Sequence, residues 1–122
     1  MKHKTKFKVI IAGGRLFNDY ESLKIYLDYL FQNKNNIEIV SGGARGVDKL
    51  GERYAREHKI PFVIFEAEWD RLGKSAGMQR NNLMASYADA LVAFWDGKSR
   101  GTKHMIEYAT TKGLQVKVKQ YD

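Results

Sequence analysis

The chain contains no cysteine, a single proline and no apolar run near the ~20 residues that a membrane-spanning helix needs. The absence of cysteine excludes disulfides, thiolate metal sites and thiol nucleophiles. Glycine is plentiful, but it falls between apolar runs, so no Pro/Gly-rich linker, internal repeat or low-complexity tract divides the sequence. The first eight residues, MKHKTKFK, lack the apolar core of a secretory signal. His3, His58 and His104 are too far apart to suggest a metal site. These absences lead to the expectation of a soluble, cytoplasmic protein with no metal and no required cofactor. At 122 residues the chain is expected to form one domain over 1–122, with 1–6 as a basic tail or the start of a strand.

What is present in excess is positive charge: 21 Lys+Arg against 14 Asp+Glu, a net +7. That balance suits a nucleic-acid or polyphosphate partner. Much of it sits at the ends, where Lys2, Lys4, Lys6 and Lys8, and then Lys117 and Lys119, alternate with other residues. Lysines at period two are also what a solvated strand face or a protected sheet edge shows.

Five short apolar runs rich in β-branched or aromatic residues read as strands: Phe7 to Ala12, Ile37 to Val40, Phe62 to Phe65, Ala90 to Trp95 and Leu114 to Val118. Between them lie helical spacings. Tyr20, Leu23, Leu27, Leu30 and Phe31 share one face, with Asn18 placed to cap the helix and Glu21 three residues on. Val47, Leu50, Tyr54, Ala55 and His58 repeat the pattern, and a third helix carries Arg80, Leu83, Met84 and Tyr87. A fourth runs from about Thr102 to Lys112, with Met105, Ile106 and Ala109 inward and Gly113 as a left-handed cap. Alternating strands and helices require crossovers, so the expected fold is α/β: a three-layer Rossmann-like domain with a mostly parallel sheet of order 3-2-1-4-5. Such sheets bind ligands beyond the C-terminal ends of the strands.

The loops at those ends are made of small and polar residues. They are Gly13, Gly14, Arg15; Ser41, Gly42, Gly43, Ala44, Arg45, Gly46, Val47, Asp48; Trp69, Asp70, Gly73, Lys74, Ser75, Gly77, with Arg80 and Asn81 following; and Asp96, Gly97, Ser99, Arg100, Gly101, Thr102. Glycine lets a backbone approach a ligand closely, and amides at a helix start favour an anion. Ser41 to Asp48 and Gly97 to Thr102 are therefore expected to form two phosphate cradles, flanked by Arg15, Arg45, Lys74 and Arg80. The plainer alternatives are that Ser99, Gly101 and Thr102 make only a helix cap, that Asp48 and Asp96 tie down loops, and that Trp69 and Trp95 are core residues.

No G-x-G-x-x-G fingerprint, P-loop or G-x-S-x-G elbow occurs. The ordered set of these loop motifs, with Arg80-Asn81 and Ala93-Phe94-Trp95-Asp96-Gly97, resembles the YspA-like, YpsA-related branch of the SLOG superfamily over about residues 9–118. That resemblance implies a Rossmann-like domain that binds nucleotides or nucleotide-derived molecules. Ser41 to Asp48 and Arg80 to Ala85 also look like motifs of DprA, the DNA-processing protein that binds single-stranded DNA. Arg80, Met84 and Gly101-Thr102 look like those of the LOG-type phosphoribohydrolases, whose catalytic glutamate falls at a position occupied here by Met105. Glu107, two residues on, is rotated about 200° from that face.

The expectation is therefore binding or sensing of a phosphorylated nucleotide derivative. Gly42 to Gly46 and Gly101-Thr102 would hold the phosphate, with Arg15, Arg45, Lys74 and Arg80 neutralising it. Asp48 or Asp96 would take ribose hydroxyls, and Trp69 or Phe17 would cover the base. A LOG-like hydrolase using Arg80, Asp48 or Asp96 and a DprA-like single-strand binder are the alternatives. A homodimer is expected from exposed tyrosines and unprotected sheet edges.

Overall fold

The structure, a computed structural model, describes residues 6–121, apart from the side chain of Lys74. Lys2, Lys4 and the tail that holds them lie outside the described residues. The elements run β1 (Phe7–Gly13), α1 (Tyr20–Phe31), β2 (Ile37–Ser41), α2 (Val47–Glu57), β3 (Phe62–Ile64), α3 (Trp69–Leu72), a 3-10 turn (Gly73–Ser75), α4 (Ala76–Tyr87), β4 (Ala90–Trp95), α5 (Arg100–Thr111) and β5 (Gln115–Gln120).

The five strands form one sheet of order β3-β2-β1-β4-β5, and every pairing is parallel. This is the doubly wound arrangement expected from the alternation of periods. Side chains of β1 alternate between two cores, as the pleat requires. Val9 and Ile11 join Leu23, Leu27, Ile39 and Phe94 on one face, while Ile10 and Ala12 join Val40, Met84, Leu91 and Met105 on the other. Close packing of α2 on the first face depends on Gly51, where a Cβ would stand 2.9 Å from Ile11. Strand order reverses between β1 and β4, which opens a crevice above their C-terminal ends.

Several local expectations change. Asp19, not Asn18, caps α1: its carboxylate accepts from the Ser22 amide at 3.1 Å and the Ser22 hydroxyl at 2.6 Å. Asp19 directly precedes the first helical residue, and so it faces the third amide of the helix. The segment after Trp69 is helical, not a plain loop. No residue of α3 is buried, which explains why apolar periodicity does not reveal it. Leu83 points outward at 56% exposure, whereas Met84 beside it is buried. The lysines also divide: Lys117 and Lys119 lie exposed on the edge strand β5, while Lys8 belongs to the central strand. Gly113 has φ +83° and closes α5 as anticipated. Among the described residues no helix is long and apolar enough to cross a membrane.

Candidate functional site

The loop joining β2 to α2 is built around a buried serine. Ser41 ends β2, and its hydroxyl donates to the Glu52 carboxylate at 2.6 Å while accepting from the Gly43 amide at 3.0 Å. The Ala44 amide donates to Asp48 at 3.3 Å, and the Val47 amide donates to the Gly14 carbonyl at 3.2 Å. The amides of Gly43, Ala44 and Val47 are thus engaged within the protein. Within the Gly42 to Gly46 run, from which amides facing a phosphate were expected, those of Gly43 and Ala44 are therefore turned to the protein itself. Gly46 joins this loop to the β1 loop: its φ is +77°, and a Cβ would lie 2.1 Å from the Gly14 carbonyl oxygen.

Asp48 and Arg80 meet beside Gly42, where a Cβ would be 2.8 Å from both the Arg80 guanidinium and the Asp48 carboxylate. Arg80 donates to the Gly42 carbonyl through Nη1 and to Asn81 Oδ1 through Nε at 3.0 Å. Asn81 in turn donates to the Gly101 carbonyl at 3.3 Å, which fastens α4 to the start of α5. Burial pushes the Asp48 carboxyl up to about 6, against the Ala44 amide and the Arg80 charge, which favour ionisation. Burial also lowers the Arg80 guanidinium, an effect that Asp48 opposes and Arg15 reinforces. At neutral pH the pair is mostly ionised.

The start of α5 differs from that of α2. Ser99 occupies the cap position without a capping hydrogen bond from its side chain, and its hydroxyl lies 3.3 Å from that of Thr102. Ser99, Gly101 and Thr102 at this helix start line the crevice, and a helix start is a favourable place for an anion. Asp96 holds the preceding loop by accepting from the Lys98 and Ser99 amides, both at 2.8 Å, and these bonds keep its carboxyl below the usual range. Trp95 donates to the Ser99 carbonyl at 3.0 Å and serves the same loop.

Two cavities occupy the rim above the sheet. One of about 430 Å³ is lined by Gly13, Gly14, Arg15, Ala44, Asp48, Trp69, Gly77, Arg80, Asn81, Asp96, Ser99, Gly101 and Thr102. The other, about 580 Å³, shares Arg15, Ala44, Trp69 and Arg80 with it and adds Gly42, Gly43, Arg45, Glu66 and Ala67. Most of the residues singled out from the sequence thus converge on one rim.

Others do not reach either cavity. Ser41 is fully buried, Gly46 packs against Gly14, and Gly97, at φ +84°, packs against Gln120. Phe17 packs at a tilt against Phe94 and Tyr121, at centroid distances of 5.5 and 4.8 Å, and lines neither cavity, so it belongs to the edge of the core and not to a cover for a base. Trp69 is half-exposed and faces both cavities. Met105 sits buried in the lining, while Glu107 is exposed near Lys103 and lines neither cavity.

Sequence reasoning overlooked Leu16, Met78, His104 and Tyr121 around the first cavity, Glu66 and Ala67 in the second, and Glu52 behind Ser41. For Glu52 a signal exists. It lies one turn after Asp48 on the buried face of α2, where a charged residue needs a partner.

The comparisons agree with this architecture. The structure is similar to that of DNA processing protein A (DprA) from Streptococcus pneumoniae, with TM-score 0.74 and 18% identity over 93% of this chain and 50% of that one. DprA from Helicobacter pylori, described for its single-stranded DNA binding mode, gives 0.73 and 23% over 93% and 65%. The chain thus spans half to about two thirds of these DprA chains. TM1055 gives 0.66 and 20% over 92% and 72%. In sequence the chain is 32% identical over 116 residues to the Gene 61 protein of Mycobacterium phage D29, covering 89% of this chain and 93% of that protein. Residues 7–72 match the family described as "YspA, cpYpsA-related SLOG family", and the chain belongs to that family.

Proposed function

We propose that the chain binds a nucleotide or nucleotide-derived phosphorylated ligand in the crevice where β1, β2 and β4 end. The observation that carries this reading is the meeting of Arg15, Arg80 and the uncapped start of α5 around one 430 Å³ cavity beside the half-exposed Trp69. A phosphate fits the α5 amides and the Ser99 and Thr102 hydroxyls, the guanidiniums supply charge, and the indole offers a flat face to a base. Each charge-assisted hydrogen bond contributes about 1.5–3 kcal/mol, enough for a small ligand to be held without metal or cofactor. With Met105 at the acid position of the phosphoribohydrolases, the site favours retention over cleavage.

The test is titration calorimetry with nucleoside mono- and diphosphates. Micromolar to submillimolar binding is expected, weakened at least tenfold by Arg15→Ala. A folded protein that binds none of them below millimolar overturns the reading.

A second reading, single-stranded nucleic acid in the same crevice, is favoured by the net charge of +7 and by the likeness to the DprA whose single-stranded DNA binding is described. It predicts a gel shift of an oligonucleotide that weakens steeply with salt, because each neutralised phosphate releases counterions.

A further inference from the structure

We propose that β3 is a dimer interface: the open edge of this strand pairs antiparallel with the same strand of a second copy of the chain, about a two-fold axis at Val63, so that two five-stranded sheets become one. The interface does not depend on what the crevice binds.

The two edges of the sheet are unlike. β5 carries Lys117 and Lys119 at period two, a common guard of an exposed edge, whereas β3 and the residue after it read Phe-Val-Ile-Phe with no charge. The Pro61 carbonyl accepts from the Ile39 amide at 2.9 Å, and the Phe65 amide donates to the Ser41 carbonyl at 2.8 Å. Residues 61, 63 and 65 therefore turn their backbone groups toward β2, and by alternation the amides and carbonyls of Phe62 and Ile64 point out of the sheet. Proline blocks an edge only where its missing N–H would face a newcomer. Pro61 faces β2 and so leaves the outer side open. The bulk of α2 lies over β1 and β2, and that of α4 over β1 and against α5, which leaves room beside β3 on both faces.

The symmetry of the segment makes a second copy the fitting occupant. With the axis at Val63, Phe62 of each copy lies opposite Ile64 of the other, and each such pair exchanges two hydrogen bonds. Val63 meets Val63 of the second copy in the closer, non-bonded pairing. Phe62 and the exposed Ile64 then fall together on the face that bears α2, and Val63 on the face that bears α4. Charge agrees with the same register. The start of β3 is basic: Lys59 precedes it, and the Arg56 guanidinium lies over the Phe62 ring, 5.7 Å from its centroid. The end is acidic, with Glu66 beside Ile64 against Gly43, and Glu68 beyond it. Arg56, Lys59 and Glu66 form no ion pair among the described residues. Antiparallel pairing sets each basic start against the acidic end of the other copy and brings Glu66 beside Arg56 of the second copy. A second copy supplies both the apolar register and the opposite charges by symmetry alone.

Sedimentation of the full chain between about 10 and 500 µM tests this. A concentration-dependent dimer of twice the 14.0 kDa chain mass is expected, with a Kd of about 10–100 µM, because one short strand pair makes a small, transient interface. Ile64→Pro removes an outward amide without touching the ladder to β2, and should weaken the dimer at least tenfold. Arg56→Glu and Glu66→Arg should each weaken it about tenfold, since either change turns two attractions into two repulsions, and the double reversal should restore it to within about threefold of the parent. The chain has no cysteine, so Val63→Cys reports the register directly. With oxidised glutathione it should form a covalent dimer, because directly opposite residues lie within disulfide reach, and Val118→Cys on β5 should do so at least tenfold more slowly. Circular dichroism confirms that each variant is folded; if Ile64→Pro does not fold, the charge reversals and the cross-link decide. A chain that stays monomeric at about 500 µM overturns the proposal and leaves the edge to a strand of some other protein. A dimer that neither Ile64→Pro nor the reversals weaken also overturns it, as does a Val63→Cys variant that cross-links no faster than Val118→Cys, because the two copies then meet elsewhere.

Discussion

Arg80 and Asp48 come together on one side of Gly42, at a place where even a methyl group would come within 2.8 Å of both. The carboxylate is buried, and its burial outweighs the attraction of the guanidinium, so the folded protein holds the Asp48 proton up to about pH 6 against an ordinary value of 3.8. An acid whose folded pKa is raised adds to stability at low pH, where both states are protonated, relative to neutral pH. That contribution falls as pH rises from about 4 to about 6, and the cost is complete above the folded value. The shift corresponds to about 3 kcal/mol. Asp48→Asn should therefore gain stability over the parent at pH 7.5 and lose most of that gain at pH 4.5. Urea unfolding of both proteins at the two pH values checks this. The difference between them matters because Asp19, Asp28, Glu57 and Asp96 are all held below their ordinary range and make the whole protein less stable in acid.

Ser41→Ala should cost about 2–3 kcal/mol. The serine hydroxyl is a partner of the buried Glu52 carboxylate, at 2.6 Å, and leaving a buried charge short of a donor costs more than the bond itself contributes. Lys49, at 3.3 Å from the other carboxylate oxygen, prevents a larger loss. Ser41→Cys, which keeps a weak donor, should fall between the two. Thermal melts of the three proteins measure the order.

Gly46→Ala tests whether the β1 and α2 loops must touch. Positive φ costs an alanine about 1 kcal/mol or more, and a Cβ 2.1 Å from a carbonyl oxygen forces the loops apart. A loss of about 2–4 kcal/mol is expected. Gly101→Ala is the control: its added Cβ meets nothing within 4 Å, and alanine favours helix, so stability should be unchanged or slightly higher.

Legibility from the sequence followed the physics of each feature. Strands and long helices are fixed by apolar periodicity, and the right-handed crossover then leaves few strand orders, so the doubly wound sheet and the rim at its C-terminal ends could be read directly. Residue identity also marked the places of close approach, as at Gly42 and Gly46. What it did not mark was the use of each amide. Asp48 and Ser41 look like ligand groups in the sequence, yet the first takes the Ala44 amide and the second takes the Gly43 amide. Those contacts depend on the tertiary path of a loop, for which no spacing rule exists. The helix at Trp69 was illegible for another reason: it buries nothing, so it leaves no apolar period, and a Glu68–Arg71 pair at its start is the local support. Glu66 escaped notice because a lone exposed carboxylate is ordinary until the cavity beside it is seen.

The Asp48 carboxylate also sets how the site responds to acid. While ionised it offsets part of the Arg80 charge on the side of the cavity where an anion would sit; once protonated it no longer does. Removing one negative charge at about 6 Å, at an effective dielectric constant of about 20, is worth between 1 and 3 kcal/mol to a bound anion. The affinity for a pyrophosphate diester should therefore rise about tenfold as pH falls from 7.5 to 5. A diester is the right probe because a terminal phosphate monoester itself takes up a proton near pH 6 and would mask the effect. By reciprocity, a saturating diester should raise the Asp48 pKa further, so binding at pH 6.5 takes up a fraction of a proton, measurable by calorimetry in buffers of different ionisation heat. Asp48→Asn should bind the diester at pH 7.5 about as tightly as the parent does at pH 5, with no pH dependence between. Equal affinity of the parent at both pH values would place the ligand out of reach of the Arg80–Asp48 pair.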